Sequence, residues 1–489
     1  MPAFKARHLT PSLLRLPLLA LALVAGRPGL AAAQDRPVAP IASYDAAWSA
    51  ISRTYWDTLL VQGRWHAAYD SIRASLLADA DADRVRGAIR ALIAVPGLSH
   101  FTLIPGAAVP LPRAKAAAPS GGRAATAGAT AGATAAATAG TTAGATTGAS
   151  GDEAADESAP RPGTLGVVVR SIGDTLVAWR VAPDGPAARA GLRAGDVITA
   201  LDTLAIDSLR AQLLRESDAD AATRRRLVTT YVLARLAGDV GDTTRIGYRD
   251  AAGHTRTAAL AREPITGSLT QMGNLPPMVV SASRDSVGLG RGRYATVLTF
   301  SAWLPAIAPD LDAYLFGSRH ADGLIIDLRG NPGGVVGMVS GVSGHLLDTA
   351  ISLGTMHGRG ATIRFVANPR RVDRAGTRVG TFTGPVAILV DGFTGSTSEF
   401  FAAGMQALGR ARVFGETSAG QSLPALMTRL PDGDVLMHAI ADHEDATGRR
   451  VEGIGVIPDE RVPLRRVDLR NGRDAALEAA RAWIAAQHP

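Results

Sequence analysis

Three short clusters bring reactive residue types next to backbone that can turn sharply. They are Asp327-Leu328-Arg329-Gly330-Asn331-Pro332-Gly333-Gly334, Gly395-Ser396-Thr397-Ser398-Glu399 and Glu452-Gly453-Ile454-Gly455-Val456-Ile457-Pro458-Asp459. Glycines directly after an apolar strand let backbone N–H groups converge on one small volume, as an oxyanion hole requires. Ser396 falls between an apolar strand ending at Val390 and a helix starting near Glu399, where a helix N-terminus favours developing negative charge. The implied chemistry is acyl transfer through a serine. The same position also suits plain structure, because Ser396 or Ser398 can serve as the helix N-cap. A free serine is a weak nucleophile, so a base must come from elsewhere in the fold. Among the ten histidines, His438 and His443 flank the hairpin before Glu452, whereas His320, His345 and His357 read as surface or packing residues. Asp442, Glu444 and Asp445 beside those two histidines suggest a metal only weakly, since histidines five apart share a helical face poorly. A solvated loop explains them more simply.

The elements that must position these groups follow from periodicity. Strands are expected at 295–300, 323–328, 386–390 and 412–414, with helices at 306–316 and 399–408. This alternation predicts an α/β core with a largely parallel sheet and reactive groups in loops at the strand ends. Gly288-Leu289-Gly290-Arg291-Gly292 precedes a strand instead of joining strand to helix, so a phosphate-cradling role is disfavoured. Nearer the start, Trp48, Ile51, Tyr55, Trp65, Tyr69, Ile72, Leu76, Val85, Ile89 and Leu92 recur at helical spacing, which predicts a small helical domain. Residues 116–159 are rich in Ala, Thr and Gly, with an acidic end at Asp152, Glu153, Asp156 and Glu157, and read as a mobile linker.

Between linker and core, strands are expected at 165–169, 175–181 and 197–201. They bracket Pro183-Asp184-Gly185-Pro186-Ala187-Ala188-Arg189-Ala190-Gly191-Leu192-Arg193-Ala194-Gly195-Asp196-Val197-Ile198, where Gly191 and Gly195 supply a helix cap and a tight turn. This pattern resembles a PDZ domain of the bacterial protease type. The resemblance implies that a peptide C-terminus adds as a strand beside Thr164, Leu165, Gly166 and Val167, whose backbone N–H groups receive its carboxylate. The stretch 204–241 is longer than usual in such domains, and its run Arg224-Arg225-Arg226 reads as a solvated helix face.

The order Asp-Leu-Arg-x-Asn-x-Gly-Gly, Ser-x-Ser-Glu, Gly415-Glu416-Thr417 and Glu-Gly-x-Gly-Val-x-Pro-Asp is similar to that of the C-terminal-processing (tail-specific) peptidases, over nearly all of residues 40–470. Processing members of that family use a Ser–Lys dyad. Here the lysine position carries Gln421 within Ala419-Gly420-Gln421-Ser422, and no lysine follows Lys115, so that dyad is unavailable. The other branch, tricorn-like and retinoid-binding-protein-like, uses Ser, His, Ser and Glu. Its resemblance implies Ser396 as nucleophile, His100 of the Ser99-His100 pair as general base, and Ser99 with Glu452 as the groups that orient the imidazole. The oxyanion donors implied are the N–H of Thr397 and one of Gly333 or Gly334. A trypsin-like protease is disfavoured, because Pro332 stands where its nucleophile would be and its PDZ domain would follow the catalytic serine.

The chain has 489 residues, 46% hydrophobic and 19% charged, enough for two or three packed domains. Its +7 charge includes Lys5, Arg7, Arg15 and Arg27 before Gln34, leaving 7 − 4, about +3, for the remainder. That is too little for a broad nucleic-acid surface. Those basic residues, the apolar run at 16–25 and Ala31-Ala32-Ala33 have the layout of a cleaved secretory signal, with an uncleaved anchor as the alternative. With no cysteine, disulfides, thiolate nucleophiles and cysteine zinc sites are excluded. The expected architecture is multidomain α+β: signal 1–33, helical domain 34–112, linker 113–160, PDZ domain 161–264 and a crotonase-like α/β core 265–489. The expected function is an exported, periplasmic or secreted serine endopeptidase acting on polypeptides, with no metal or organic cofactor and no membrane span after signal cleavage. Its rivals are a non-catalytic peptide-binding protein that keeps the fold, motivated by Gln421, and a binder of hydrophobic small molecules.

Overall fold

The computed structural model describes residues 41–77, 80–106, 161–216, 220–271 and 277–487. The expected secretory signal and linker lie outside the described residues. No helix among those described is long and apolar enough to cross a membrane.

The largest assembly is a six-stranded sheet in the order Ala282–Gly290, Arg293–Phe300, Gly323–Asp327, Val386–Val390, Ala411–Gly415 and Glu460–Arg461. Every neighbouring pair is parallel except the first, an antiparallel hairpin whose turn is the glycine-rich stretch singled out above. Alternation along the two central strands builds a core on each face. Leu324, Ile326, Val386, Ile388 and Val390 pack with residues of the helices Ala308–Gly317, Gly337–Gly344 and Thr397–Ala407. Ile325, Ala387 and Leu389 instead meet Ala476, Ala480 and Ile484 of the helix Ala475–Ala486. The largely parallel sheet expected from the sequence is therefore observed, with one antiparallel edge strand added.

Residues 161–264 form a second, antiparallel sheet in the order Val167–Ile172, Thr175–Val181, Val197–Leu201, Thr243–Arg249 and Thr255–Ala261. The long stretch after Leu204 folds as two helices, Ile206–Glu216 and Ala221–Leu236, and Val228, Val232 and Leu236 of the second close the core. The first strand begins two residues later than expected because Gly166 turns the chain at φ +70°. The arginine run is not simply a solvated face. Arg225 pairs with Asp174 at 2.9 Å, while half-buried Arg226 donates to the Ala419 carbonyl at 3.1 Å.

The helices Ile41–Thr54 and Ala82–Ile93, with the turn Val61–Trp65 that leads into the helix His66–Leu76, bury Tyr44, Ile51, Trp65, Ile89 and Leu92 completely, a large apolar side chain gaining about 1.5–3 kcal/mol on burial. Their core is not self-contained. It is completed by Leu423, Leu430, Leu436 and Ala439, more than three hundred positions later. Beyond the helices, the strand Thr102–Ile104 pairs antiparallel with Val435–Ala439, with Thr102 opposite Met437 and Ile104 opposite Val435. Arg86 seals this seam, reaching both oxygens of fully buried Asp434 at 2.7 and 3.1 Å, while Gly106 N–H donates to the same carboxylate at 2.8 Å.

Removing that carboxylate strands a guanidinium that is only 30% exposed, together with a backbone donor. Asp434→Ala is expected to destabilise the fold by about 2–4 kcal/mol, read as a lower urea midpoint. An unchanged midpoint contradicts the role assigned to this pair.

Candidate active site

The nucleophile candidate sits where strand Val386–Val390 gives way to helix Thr397–Ala407. The intervening turn is tied to the loop after strand Gly323–Asp327. Asp391 accepts from Gly330 and Phe393 N–H at 2.8 and 3.0 Å, Thr394 Oγ1 donates to Leu328 O at 2.8 Å, and Gly395 N–H donates to Asn331 O at 3.0 Å. These bonds hold Ser396 at φ 52°, ψ −120°, a conformation that costs a non-glycine residue about 1–3 kcal/mol. It stands at the N-cap position, but its hydroxyl faces His100. Ser398 lies inside the helix, where its hydroxyl accepts from Trp303 Nε1 at 2.9 Å.

His100 arrives from the N-terminal seam, two residues before strand Thr102–Ile104, also with positive φ (59°). Its Nε2 lies 3.3 Å from Ser396 Oγ, and its Nδ1 lies 2.7 Å from Ser99 Oγ. The Ser99 hydroxyl donates to Glu452 Oε2 at 3.0 Å. That bond uses the Ser99 proton, so Ser99 Oγ accepts from an Nδ1–H. The tautomer follows: Nε2 carries the lone pair, and it points at the Ser396 hydroxyl. Glu452 is fixed in turn by Ser99 N–H and Ser422 N–H, both at 2.8 Å. Burial raises its carboxyl above the ordinary value, and these donors oppose the rise. The other histidines lie elsewhere. His438 sits between Thr54 and Thr428, and His443 packs on Phe400 with a ring separation of 4.3 Å. His345 is buried against Asp312 at 2.9 Å, His357 reaches Glu444 at 3.3 Å, and His320 is exposed.

Gly333 lies so close to the serine that a Cβ there would come within 2.6 Å of Ser396 Cβ and 2.8 Å of Thr397 N. Its N–H is taken by Asn331 Oδ1 at 3.0 Å. Gly334 and Thr397 keep N–H groups without a protein acceptor among the described residues. Of the two glycines left open by the sequence, Gly334 is thus the one with a donor to offer.

Sequence reasoning missed Glu399 as a positioning group. Its carboxyl is fully buried and receives Ser418 Oγ at 2.5 Å and the N–H groups of Gly420, Gln421 and Ser396 at 2.7, 2.8 and 3.1 Å. Burial pushes it up to about 7 against the pull of these four donors. The Ser396-x-x-Glu399 spacing of a capping box was the available signal. Gln421 acts through its backbone, its carbonyl accepting from Ser396 N–H at 2.7 Å. The second sheet adds an ionic clamp beneath both loops: Arg170 to Asp391 at 3.0 Å, and Arg180 to Asp327 at 2.7 Å, with Arg329 bridging Asp327 and Asp474. In the expected tail-binding stretch, Leu165 is buried and Gly166 N–H is engaged by Thr164 Oγ1 at 3.0 Å. Val167 opens the sheet's first strand.

Residues 300–462 match the sequence profile of Peptidase family S41, and residues 180–228 match that of a PDZ domain. The chain thus carries a stretch like that of S41 peptidases after a stretch like a PDZ domain, in the order the motifs suggested. More particularly, it is similar to the chloroplastic C-terminal processing peptidase of Tetradesmus obliquus, 26% identical over 59% of this chain and 56% of that protein. It is also similar to the carboxyl-terminal-processing protease of Picosynechococcus sp., 27% identical over 58% of this chain and 59% of that protein. The matches thus span little more than half the length of these relatives. Two solved structures share the fold. The photosystem II D1 C-terminal processing protease has a TM-score of 0.50 at 19% identity, covering 90% of this chain and 99% of that one. Mature CPAF has a TM-score of 0.54 at 12% identity, covering 92% and 98%.

Burial pulls His100, His345, His438 and His443 each down to about 4, from about 6.5 in an unfolded chain. Between those values the unfolded state binds more protons, so their contribution to stability is lost as pH falls through 6.5 towards 4. Glu399, raised to about 7 from 4.5, works in the opposite sense over its own window, as do Glu416 and Glu452, which burial also raises, but the four imidazoles outweigh them. The urea midpoint is expected to drop steadily from pH 6.5 towards pH 4. A flat or rising profile contradicts the buried, neutral imidazoles.

Proposed function

We propose that the protein is an exported serine endopeptidase with a crotonase-like α/β core, a PDZ domain that recruits a polypeptide tail or segment, and a helical N-terminal domain that supplies the base. The observation that carries this reading is the continuous chain Ser396–His100–Ser99–Glu452, with the imidazole held in the tautomer a base requires. In the reaction, Ser396 Oγ bonds to the scissile carbonyl carbon while its proton passes to His100 Nε2. The oxyanion is met by the N–H groups of Thr397 and Gly334. The proton then passes to the leaving amine as the C–N bond breaks; His100 next takes a proton from water as the water oxygen bonds to the acyl carbon, and returns it to Ser396 Oγ as the acyl C–O bond breaks. The S41 profile match and the sequence likeness to processing peptidases support peptide-bond hydrolysis. The edge position of strand Val167–Ile172 supports recruitment by strand addition. The basic start and apolar run before Gln34 support export. No step needs a metal or organic cofactor.

Fluorophosphonate labelling and hydrolysis of an unfolded protein test this reading together. Ser396→Ala is expected to abolish both, His100→Ala to lower kcat/KM by about 10²- to 10⁴-fold, and Gln421→Ala to retain both. Absence of labelling in the natural protein favours the non-catalytic peptide-binding reading.

The base works only when neutral, and burial places His100 at about 4. The acid limb of kcat/KM is therefore expected well below the 6.5 of an ordinary imidazole, with activity lost as pH falls through about 4. A limb near 6.5 contradicts this assignment.

A further inference from the structure

The cleft between the PDZ segment and the core, about 1110 Å³, exceeds the usual range for small-molecule sites, about 300–1,000 Å³. It runs from the edge strand Val167–Ile172 and the helix Ala221–Leu236 to Phe393 in the turn before Ser396 and to Thr417 and Ser418. Eight arginines and four carboxylates line it. The clamp described above occupies Arg170, Arg180 and Arg329, while Arg225 pairs with Asp174 and Arg473 with Glu478. That leaves Arg226, Arg461 and Arg465 without an ion-pair partner among the described residues. The one lining carboxylate outside any ion pair is Glu416, which feels the charge of Arg461 and stands as a single anion against the three cations. Arg226 stands where the cleft meets the loop around the serine, donating only to a carbonyl. Unpaired cations gathered in a concave wall create a field that attracts anions.

We propose that this cleft selects polypeptide segments bearing aspartate or glutamate, with Arg226, Arg461 and Arg465 as the specificity-determining residues. The inference rests on the reading of this segment as peptide-recruiting and adds the chemical class of what is recruited. A chain laid along the strand edge meets Arg461 and Arg465 on the core side and Arg226 on the way to Ser396. Its carboxylates gain from all three, whereas their amide counterparts gain nothing.

The test compares two short fluorescein-labelled peptides, one ending Asp-Glu-Ala-Ala and the other Asn-Gln-Ala-Ala. Binding is read by anisotropy in Ser396→Ala, and hydrolysis of the same sequences is read in the natural protein. The acidic peptide is expected to bind about five-fold tighter at low salt, the margin shrinking at raised salt. The double variant Arg461→Glu/Arg465→Glu, altered at two exposed side chains, is expected to lose or invert the preference. Equal affinity for the two peptides, or a preference that survives the double variant, overturns the inference. Acidic preference in binding without hydrolysis sustains it while refuting the peptidase reading. Hydrolysis of both peptides at equal kcat/KM refutes the inference and leaves the peptidase reading intact.

Discussion

A three-residue strand bears the weight of this site. Thr102–Ile104 pairs with Val435–Ala439, and only through that pairing does an imidazole at position 100 reach a hydroxyl at position 396. A short ladder is weak by itself, so it is reinforced from both sides. The helical segment shares its apolar core with Leu423, Leu430, Leu436 and Ala439, and the Arg86–Asp434 pair closes the rim. Imidazole and hydroxyl belong to different parts of the chain, and packing energy joins them. Glu452 joins the same contact from the core side through the N–H groups of Ser99 and Ser422.

The serine itself is held by the opposite strategy, local over-determination. Its positive φ is unfavourable, yet Glu399 grips its N–H, the Gln421 carbonyl accepts from the same group, and Gly333 packs against its Cβ where no side chain fits. The cost of the strained turn is offset by hydrogen bonds that the loops could not otherwise satisfy. The ionic clamp from Arg170 and Arg180 lies directly under these loops. The antiparallel sheet of residues 161–264 and the loops around Ser396 are therefore joined by one set of charges.

How much of this the sequence revealed depended on the range of each contact. The parallel sheet was legible, and Ser396 stood out as a candidate, because a buried strand, a glycine-rich turn and a helix start are local patterns with fixed periods. His100 was not legible from its neighbours: nothing in Ser99-His100 says which residue three hundred positions away it will meet, and only the motif order of a resembling family pointed to it. Glu399 was overlooked because a glutamate at a helix start ordinarily sits in solvent, and its burial is decided by the loop at 418–421 folding over it. Arg226 was misread for a related reason. A run of three arginines on a helix looks solvated until the core is docked against it. The strand expected at 165–169 starts two residues too early, at Leu165 instead of Val167, because the pattern of apolar residues does not show that Gly166 bends the chain.

Because the chain has no cysteine, the seam can be locked without interference from other thiols. Thr102 and Met437 face each other across it, and opposed residues in antiparallel pairs have Cα separations of about 4.5–5.5 Å, within the range a disulfide spans. The most direct measurement is the fluorophosphonate reactivity of a Thr102→Cys/Met437→Cys variant, oxidised against reduced. The account predicts that the disulfide forms under mild oxidation and that the locked protein labels at Ser396 at least as fast as the reduced one. Failure to form the bond, or labelling that vanishes once it forms, would show that the working site is not assembled across this strand pair.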